Sequence, residues 1–187
     1  MAPAGGSWWR VDAEHPDQWD WTGFPFPRHR FDPASGRFRV RYAANRPAVA
    51  ARERFTTRAL THADGELWLV QLERMPSGLH LTHQVNLDTL GLDDRVNTGR
   101  VGVRRGADPD PLLGVCGELA DAIYDWWDHH PPPLVYRART IPAGRNIAFT
   151  STAASRAVRV GRLRDAPALH AHLVLRSGFT VPSTWFR

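Results

Sequence analysis

Lysine is missing from this chain of 187 residues, and all 24 of its strongly basic side chains are arginine. That absence excludes a phosphate-loop lysine, a Schiff-base lysine and lysine as a general base. Cysteine is nearly as scarce. One Cys116 leaves no internal disulfide and no multi-cysteine zinc or iron–sulfur site. No apolar run reaches the about 18 residues of a membrane-spanning helix, so no membrane partner is expected. The first ten residues, Met1 to Arg10, lack the basic-then-apolar order of a secretory signal, and a cytoplasmic location is expected. GxSxG, HExxH, GxxxxGKS and GxGxxG patterns are all absent, which removes the commonest hydrolase, zinc-protease, phosphate-loop and dinucleotide-fold signatures.

What is present describes a folded enzyme-sized unit. Apolar residues make up 42% and charged residues 23%, enough to bury a core, and the length suits one domain over 1–187. A net charge of +5 permits an acidic partner, but the 19 carboxylates are interspersed, so average charge alone decides little. Arginine stays charged and grips phosphates and carboxylates with a flat fork of donors. The Pro-rich spots at 24–27, 108–111 and 131–133 read as bends inside one domain.

Periodicity places the elements. Residues 37–43 alternate, with Phe38, Val40 and Tyr42 on one face and Arg37, Arg39 and Arg41 on the other, which predicts a half-buried strand. Asn45 is the expected cap of a helix with Pro47 in its first turn. Ala48, Ala51, Phe55 and Ala59 form that helix's apolar stripe, and Glu53 lies on a second, mixed face suited to a cleft wall. Leu67–Leu72 reads as a central strand and 78–83 as its continuation in the sheet. From Leu112 an apolar stripe through Cys116, Leu119, Ala120, Ile123 and Trp127 predicts a helix that Pro131 stops. Residues 134–139, 146–150 and 173–176 read as further strands. The mixture predicts an α/β (α+β) domain without the regular alternation of a doubly wound sheet.

Few motifs carry chemistry. His170 and His172 form an HxH pair on a predicted strand, but no third ligand is evident and no metal is expected. Ser151, Thr152 and Ser155 have no activating base in view. The informative stretch is 28–54, which holds a loop arginine (Arg30), a turn at Gly36, a strand ending in Tyr42 and a helix carrying Glu53. Read plainly, it is a strand with an arginine-rich solvated face before an ordinary helix. Read functionally, guanidinium binds a diphosphate, a ring packs on a flat base, and a carboxylate stabilises positive charge developing on a sugar.

These residues resemble the RES domain, found in toxins of bacterial toxin–antitoxin pairs. The likeness rests on Trp9-Arg10-Val11, then Arg30-Phe31-Asp32-Pro33 with Gly36, then Tyr42-Ala43-Ala44, with Glu53 eleven residues after Tyr42. It continues in Leu134-Val-Tyr-Arg-Ala-Arg139 and Asn146-Ile-Ala-Phe149, so it touches roughly residues 8–150.

The resemblance implies a compact domain with a split mixed sheet similar to ADP-ribosyltransferases. It implies cleavage of the nicotinamide–ribose bond of NAD as substrate, with phosphate, water or a protein as acceptor and no further cofactor. It also implies a neutralising antitoxin. Arg10 and Arg30 would hold phosphates or ribose, Tyr42 would position the nicotinamide end, and Glu53 would stabilise the sugar cation. Where relatives carry serine, this chain has Ala138, and Gly114-Val-Cys-Gly117 offers none either, so that hydroxyl contact is missing or comes from elsewhere, such as Thr140 or Ser151. Two alternatives stand beside the enzyme: a RES-like domain that binds a nucleotide or partner without turnover, and a basic module binding nucleic acid through Arg37, Arg39 and Arg41, which is the less expected.

Overall fold

The computed structural model describes residues 6–23, 26–99, 111–141, 143–153 and 155–186. Seven strands form one mixed sheet: β1 (Trp8–Asp12), β2 (Arg41–Ala44), β3 (Trp68–Glu73), β4 (Leu79–His80), β5 (Leu134–Arg137), β6 (Arg145–Phe149) and β7 (Arg156–Arg162). Their order is β4-β5-β6-β2-β1-β3-β7, with β4 and β5 parallel and the other pairs antiparallel. Five helices accompany it: α1 (Pro47–Arg54), α2 (Gln84–Thr89), α3 (Arg95–Thr98), α4 (Pro111–Trp126) and α5 (Pro167–Ser177). The expected class, α/β with a mixed sheet, is the one observed.

Strand alternation sorts the core by sheet face. Tyr42 and Ala44 of β2, Leu134 and Tyr136 of β5, and Ala148 of β6 share one face with the helices. Toward the β1 end, α1 and α5 cover it through Val49, Ala51 and Leu173. Toward β5 and β6, α4 covers it through Cys116, Ala120 and Ile123 against Phe31, Phe38 and Val40. The other face buries Trp8, Ala43, Val70, Leu72, Val135, Ile147 and Phe149 beneath Trp19 and Trp21. The aromatics Trp8, Trp9, Trp19 and Trp21 near the N-terminal end thus pack with the core, while Phe26 is exposed.

Several local expectations need correction. Residues 173–176 belong to α5, not to a strand; Pro167 opens that helix and Gly178, at φ 66°, closes it in the left-handed conformation. His170 and His172 therefore diverge by about 200° around the helix, His170 buried with Nε2 against the Leu163 carbonyl at 2.6 Å and His172 exposed. Arg46, not Asn45, occupies the cap of α1. Asn45 instead accepts the Arg145 N–H through Oδ1. That helix ends at Arg54, before Ala59, and buries Ala48 to Ala51. Trp127 is exposed rather than part of the α4 stripe, and β7 was not expected as a strand. The predicted bends at 24–27 and 108–111 lie partly outside the described residues.

The sheet is divided between β1 and β2. Among the described residues these strands meet at a single pair, Trp9 opposite Ala44, whereas β1 runs alongside β3 from Trp8 to Asp12. Continuing the β1–β2 register would set Asp12 opposite Arg41, and there side chains replace the backbone ladder. Arg10 Nη1 donates to the Tyr42 carbonyl at 2.8 Å, and Arg10 Nε and Arg41 Nη1 both donate to Asp12 Oδ2, at 2.5 and 3.1 Å. Arg41 is 4% exposed and donates further to Glu14 at 2.8 Å and to the Asp20 carbonyl at 3.1 Å. The expected solvated face of 37–41 is therefore interior at Arg41.

Burial would raise the Asp12 pKa, but the Arg10 charge and hydrogen bond, the Glu14 N–H and Arg41 outweigh it, and the carboxyl titrates below its ordinary 3.8. A depressed carboxyl stabilises the fold above its unfolded pKa, and that contribution is lost as pH falls through the folded value. Asp12→Ala, which strands the Arg41 charge, should cost about 3–5 kcal/mol in denaturant melts at neutral pH. Melts carried below pH 3.8 should show a shallower acid loss for Asp12→Asn than for the native chain.

Candidate functional site

A cleft of about 740 Å³ enters the division between β1 and β2. Its walls come from β1, β2, the 28–32 loop, α1 and the start of the β5–β6 connection, and residues from both strand faces reach it. The loop is organised by Asp32, which is 1% exposed. Asp32 Oδ2 accepts the Arg28 and His29 N–H groups, each at 2.9 Å, and Oδ1 accepts the Tyr42 hydroxyl at 2.9 Å. Phe31, fully buried, plugs the loop against the Tyr136 ring with centroids 5.1 Å apart. Gly117 lets α4 come this close, because a Cβ there would lie 3.0 Å from the Asp32 carbonyl oxygen.

Arg10, Arg30, Tyr42 and Glu53 all line this one cleft. Each already has partners. Arg10 is held by Asp12 and the Tyr42 carbonyl. Arg30 donates to the Val96 and Gly99 carbonyls at 2.6 and 2.5 Å, closing the C-terminal end of α3, and its guanidinium lies 5.8 Å from the Tyr136 ring centre. The Tyr42 hydroxyl donates to Asp32 and accepts the Phe31 N–H at 3.0 Å, which leaves the ring as its contribution to the wall. Burial and then the Asp32 charge push that hydroxyl well above the ordinary phenol range. Burial, followed by the Glu53 charge, does the same to Tyr136. Both tyrosines stay protonated at neutral pH and neither is suited to act as a base.

Glu53 sits in the last turn of α1, exposed, and Oε1 accepts both the Thr140 N–H at 3.2 Å and the Thr140 hydroxyl at 2.6 Å. Thr140, one of the two hydroxyls considered in place of the family serine, thus lies beside the carboxylate. Ser151 is exposed on the turn after β6 and is not part of the cleft wall.

Sequence reasoning passed over further wall residues. The guanidiniums of Arg28, Arg54 and Arg139 line the cleft without a hydrogen bond or ion pair among the described residues. Arg54 and Arg139 are chain neighbours of the bonded Glu53–Thr140 pair, which sets both beside the carboxylate. Eight arginines and four carboxylates line the cleft, a balance that favours an anion. Tyr136 and Asn146, quoted above only as parts of a motif, form part of its floor. Their signal in the sequence was a polar residue in an otherwise apolar strand.

The arginines of the nucleic-acid alternative are engaged internally. Arg37 pairs with Asp121 and Asp125, Arg39 with Asp20 at 3.5 Å, and Arg41 with Asp12 and Glu14. No cluster of three or more His, Cys, Asp or Glu suited to a metal occurs among the described residues. No helix among them is long and apolar enough to cross a membrane.

Comparison with curated proteins and with solved structures returned no match to this chain. A family model does match. The RES domain model aligns with residues 7–172, which take in the divided sheet, the 28–32 loop, Glu53 and the β5–β6 floor, and the chain belongs to the RES domain family.

Proposed function

We propose that this cleft binds NAD and cleaves its nicotinamide–ribose bond, in a fold of the ADP-ribosyltransferase type. The observation that carries the reading is the Glu53 carboxylate set on one cleft wall beside uncommitted guanidiniums, with a volume suited to a dinucleotide. Arg28, Arg54 and Arg139 hold the diphosphate, with the free N–H groups of Arg10 and Arg30 adding to them. The Tyr42 and Tyr136 rings give the nicotinamide a flat wall.

Cleavage breaks the bond between the ribose anomeric carbon and the ring nitrogen. The bonding pair leaves with the nitrogen, so the charged pyridinium departs as neutral nicotinamide. Positive charge shifts to the sugar, where Glu53 faces it, and Thr140 holds the carboxylate in place. An oxygen of phosphate or water then bonds to the anomeric carbon, and the surplus proton goes to solvent. This activity would make the chain the toxin of a toxin–antitoxin pair, with an antitoxin protein covering the cleft.

Glu53→Gln keeps the side chain's shape and removes its charge. Turnover of NAD should fall about a hundredfold or more, with NAD affinity little changed, because the charge acts mainly on the transition state. Nicotinamide release followed by chromatography checks this. Unaltered release by the folded variant removes Glu53 from the site. Saturable NAD binding by the native chain without any release would instead support the binding-only alternative.

Arg54→Ala and Arg139→Ala should show the opposite balance. Phosphate contacts are made in ground and transition states alike, so KM for NAD should rise about ten- to a hundredfold with kcat nearly kept. Among the described residues neither guanidinium has an internal partner to lose, so thermal unfolding should be unchanged. Steady-state kinetics beside a melting curve separates the two effects.

A further inference from the structure

Asn146 is 4% exposed yet lines the cleft. It lies on β6 with Ala44 opposite it on β2 and Tyr136 opposite it on β5. Its side-chain amide lies near the Tyr136 phenol and lowers that hydroxyl's pKa, against the upward push of burial. Its Oδ1 is buried and has no hydrogen-bond partner among the described residues. Buried amide oxygens are almost always satisfied, because the alternative is an uncompensated loss of water. Ala44 offers only a methyl group from the β2 side. With its amide beside Tyr136, Asn146 adds to the cleft wall a side chain whose oxygen lacks a donor among the described residues.

Resting on the NAD reading, we propose that Asn146 Oδ1 accepts an N–H of the nicotinamide carboxamide, so that the site selects dinucleotides whose pyridinium ring carries a carboxamide. Position supports this ligand group over the others. Gly144, two residues before Asn146, packs against Val49 of α1, the helix that carries Glu53. The Glu53 charge also acts on the Tyr136 hydroxyl, so the Tyr136–Asn146 pair belongs to the Glu53 end of the cleft, where the scissile carbon is held. The nicotinamide ring is bonded to that carbon. The wall there has Ala44 on one side of Asn146 and Tyr136 on the other, which accommodates a flat heterocycle. A ring bearing a carboxylate would bring an unpaired anion against a carbonyl oxygen in a desolvated place. A ring bearing a ketone would leave Oδ1 without a donor.

The test compares NAD, 3-acetylpyridine adenine dinucleotide and nicotinic acid adenine dinucleotide on the native chain, reading pyridine release. Because the rings differ as leaving groups, affinity for the same three is measured on Glu53→Gln protein. The native site should favour NAD over the ketone analogue by about ten- to a hundredfold, and over the acid by at least as much. Asn146→Ala should shrink the preference to within a few-fold. Asn146→Asp, which keeps an acceptor oxygen, should preserve the preference over the ketone. Equal affinity of Glu53→Gln protein for all three overturns the proposal without touching the NAD reading. So does an Asn146→Ala loss common to all three, which assigns Oδ1 to a sugar hydroxyl. Absence of release by the native chain, together with absence of binding of all three by both proteins, overturns the NAD reading and this proposal together.

Discussion

One carboxylate, Asp12, stands between two guanidiniums at the place where the sheet comes apart. A continuous β1–β2 ladder would satisfy its own backbone groups and leave no entrance. Here the strands meet at Trp9 and Ala44 and then separate, and the Arg10 side chain takes the Tyr42 carbonyl that the ladder leaves open. Arg41, almost fully buried, is tolerable only because Asp12 and Glu14 face it. The pair therefore does two things at once: it keeps the halves of the sheet together and keeps them apart by the width of a side-chain network. The cleft is the space this arrangement holds open.

The site follows from that opening. The Asp32 carboxylate gathers the 28–32 loop and fixes the Tyr42 hydroxyl, so the loop arginines stand over the entrance. On the other wall α1 approaches β1 closely because Ala48, Ala50 and Ala51 are small, which brings Glu53 to the rim. Thr140 ties that carboxylate to the β5–β6 connection. The tyrosines are buried, neutral and held, so what the cleft offers a ligand is chiefly electrostatic: guanidiniums, and the Glu53 carboxylate at the rim. Arg10 and Arg30 are largely occupied by structure, whereas Arg28, Arg54 and Arg139 line the cleft without a partner for their guanidiniums among the described residues.

Much of this was legible in the chain. The alternation at 37–43, the apolar run at 67–72 and the α4 stripe located strands and a helix because each pattern has one dominant period. The order Arg10, Arg30, Tyr42, Glu53 named residues that share a cleft although 42 residues separate the first from the last in the sequence. What escaped has physical causes. Leu173-Val-Leu is too short an apolar run to tell helix from strand, and the deciding marks, Pro167 and Gly178, lie outside it. Strand β7 mixes arginine and valine at an exposed edge, so its pattern is weak. The burial of Arg41 depends on Asp12, 29 positions away, a pairing no local period records. Asn146 stands between Arg145 and the apolar Ile147 with no local pattern to mark it, and its orphaned oxygen exists only in three dimensions.

We propose that the opening between β1 and β2 is where a nicotinamide dinucleotide is held, and a crystal structure of Glu53→Gln protein grown with NAD would show it. The dinucleotide should lie in this cleft, its diphosphate against Arg54 and Arg139 and its nicotinamide-bearing ribose facing the side chain at position 53. NAD bound elsewhere on the domain, or an empty cleft at saturating NAD, would contradict it.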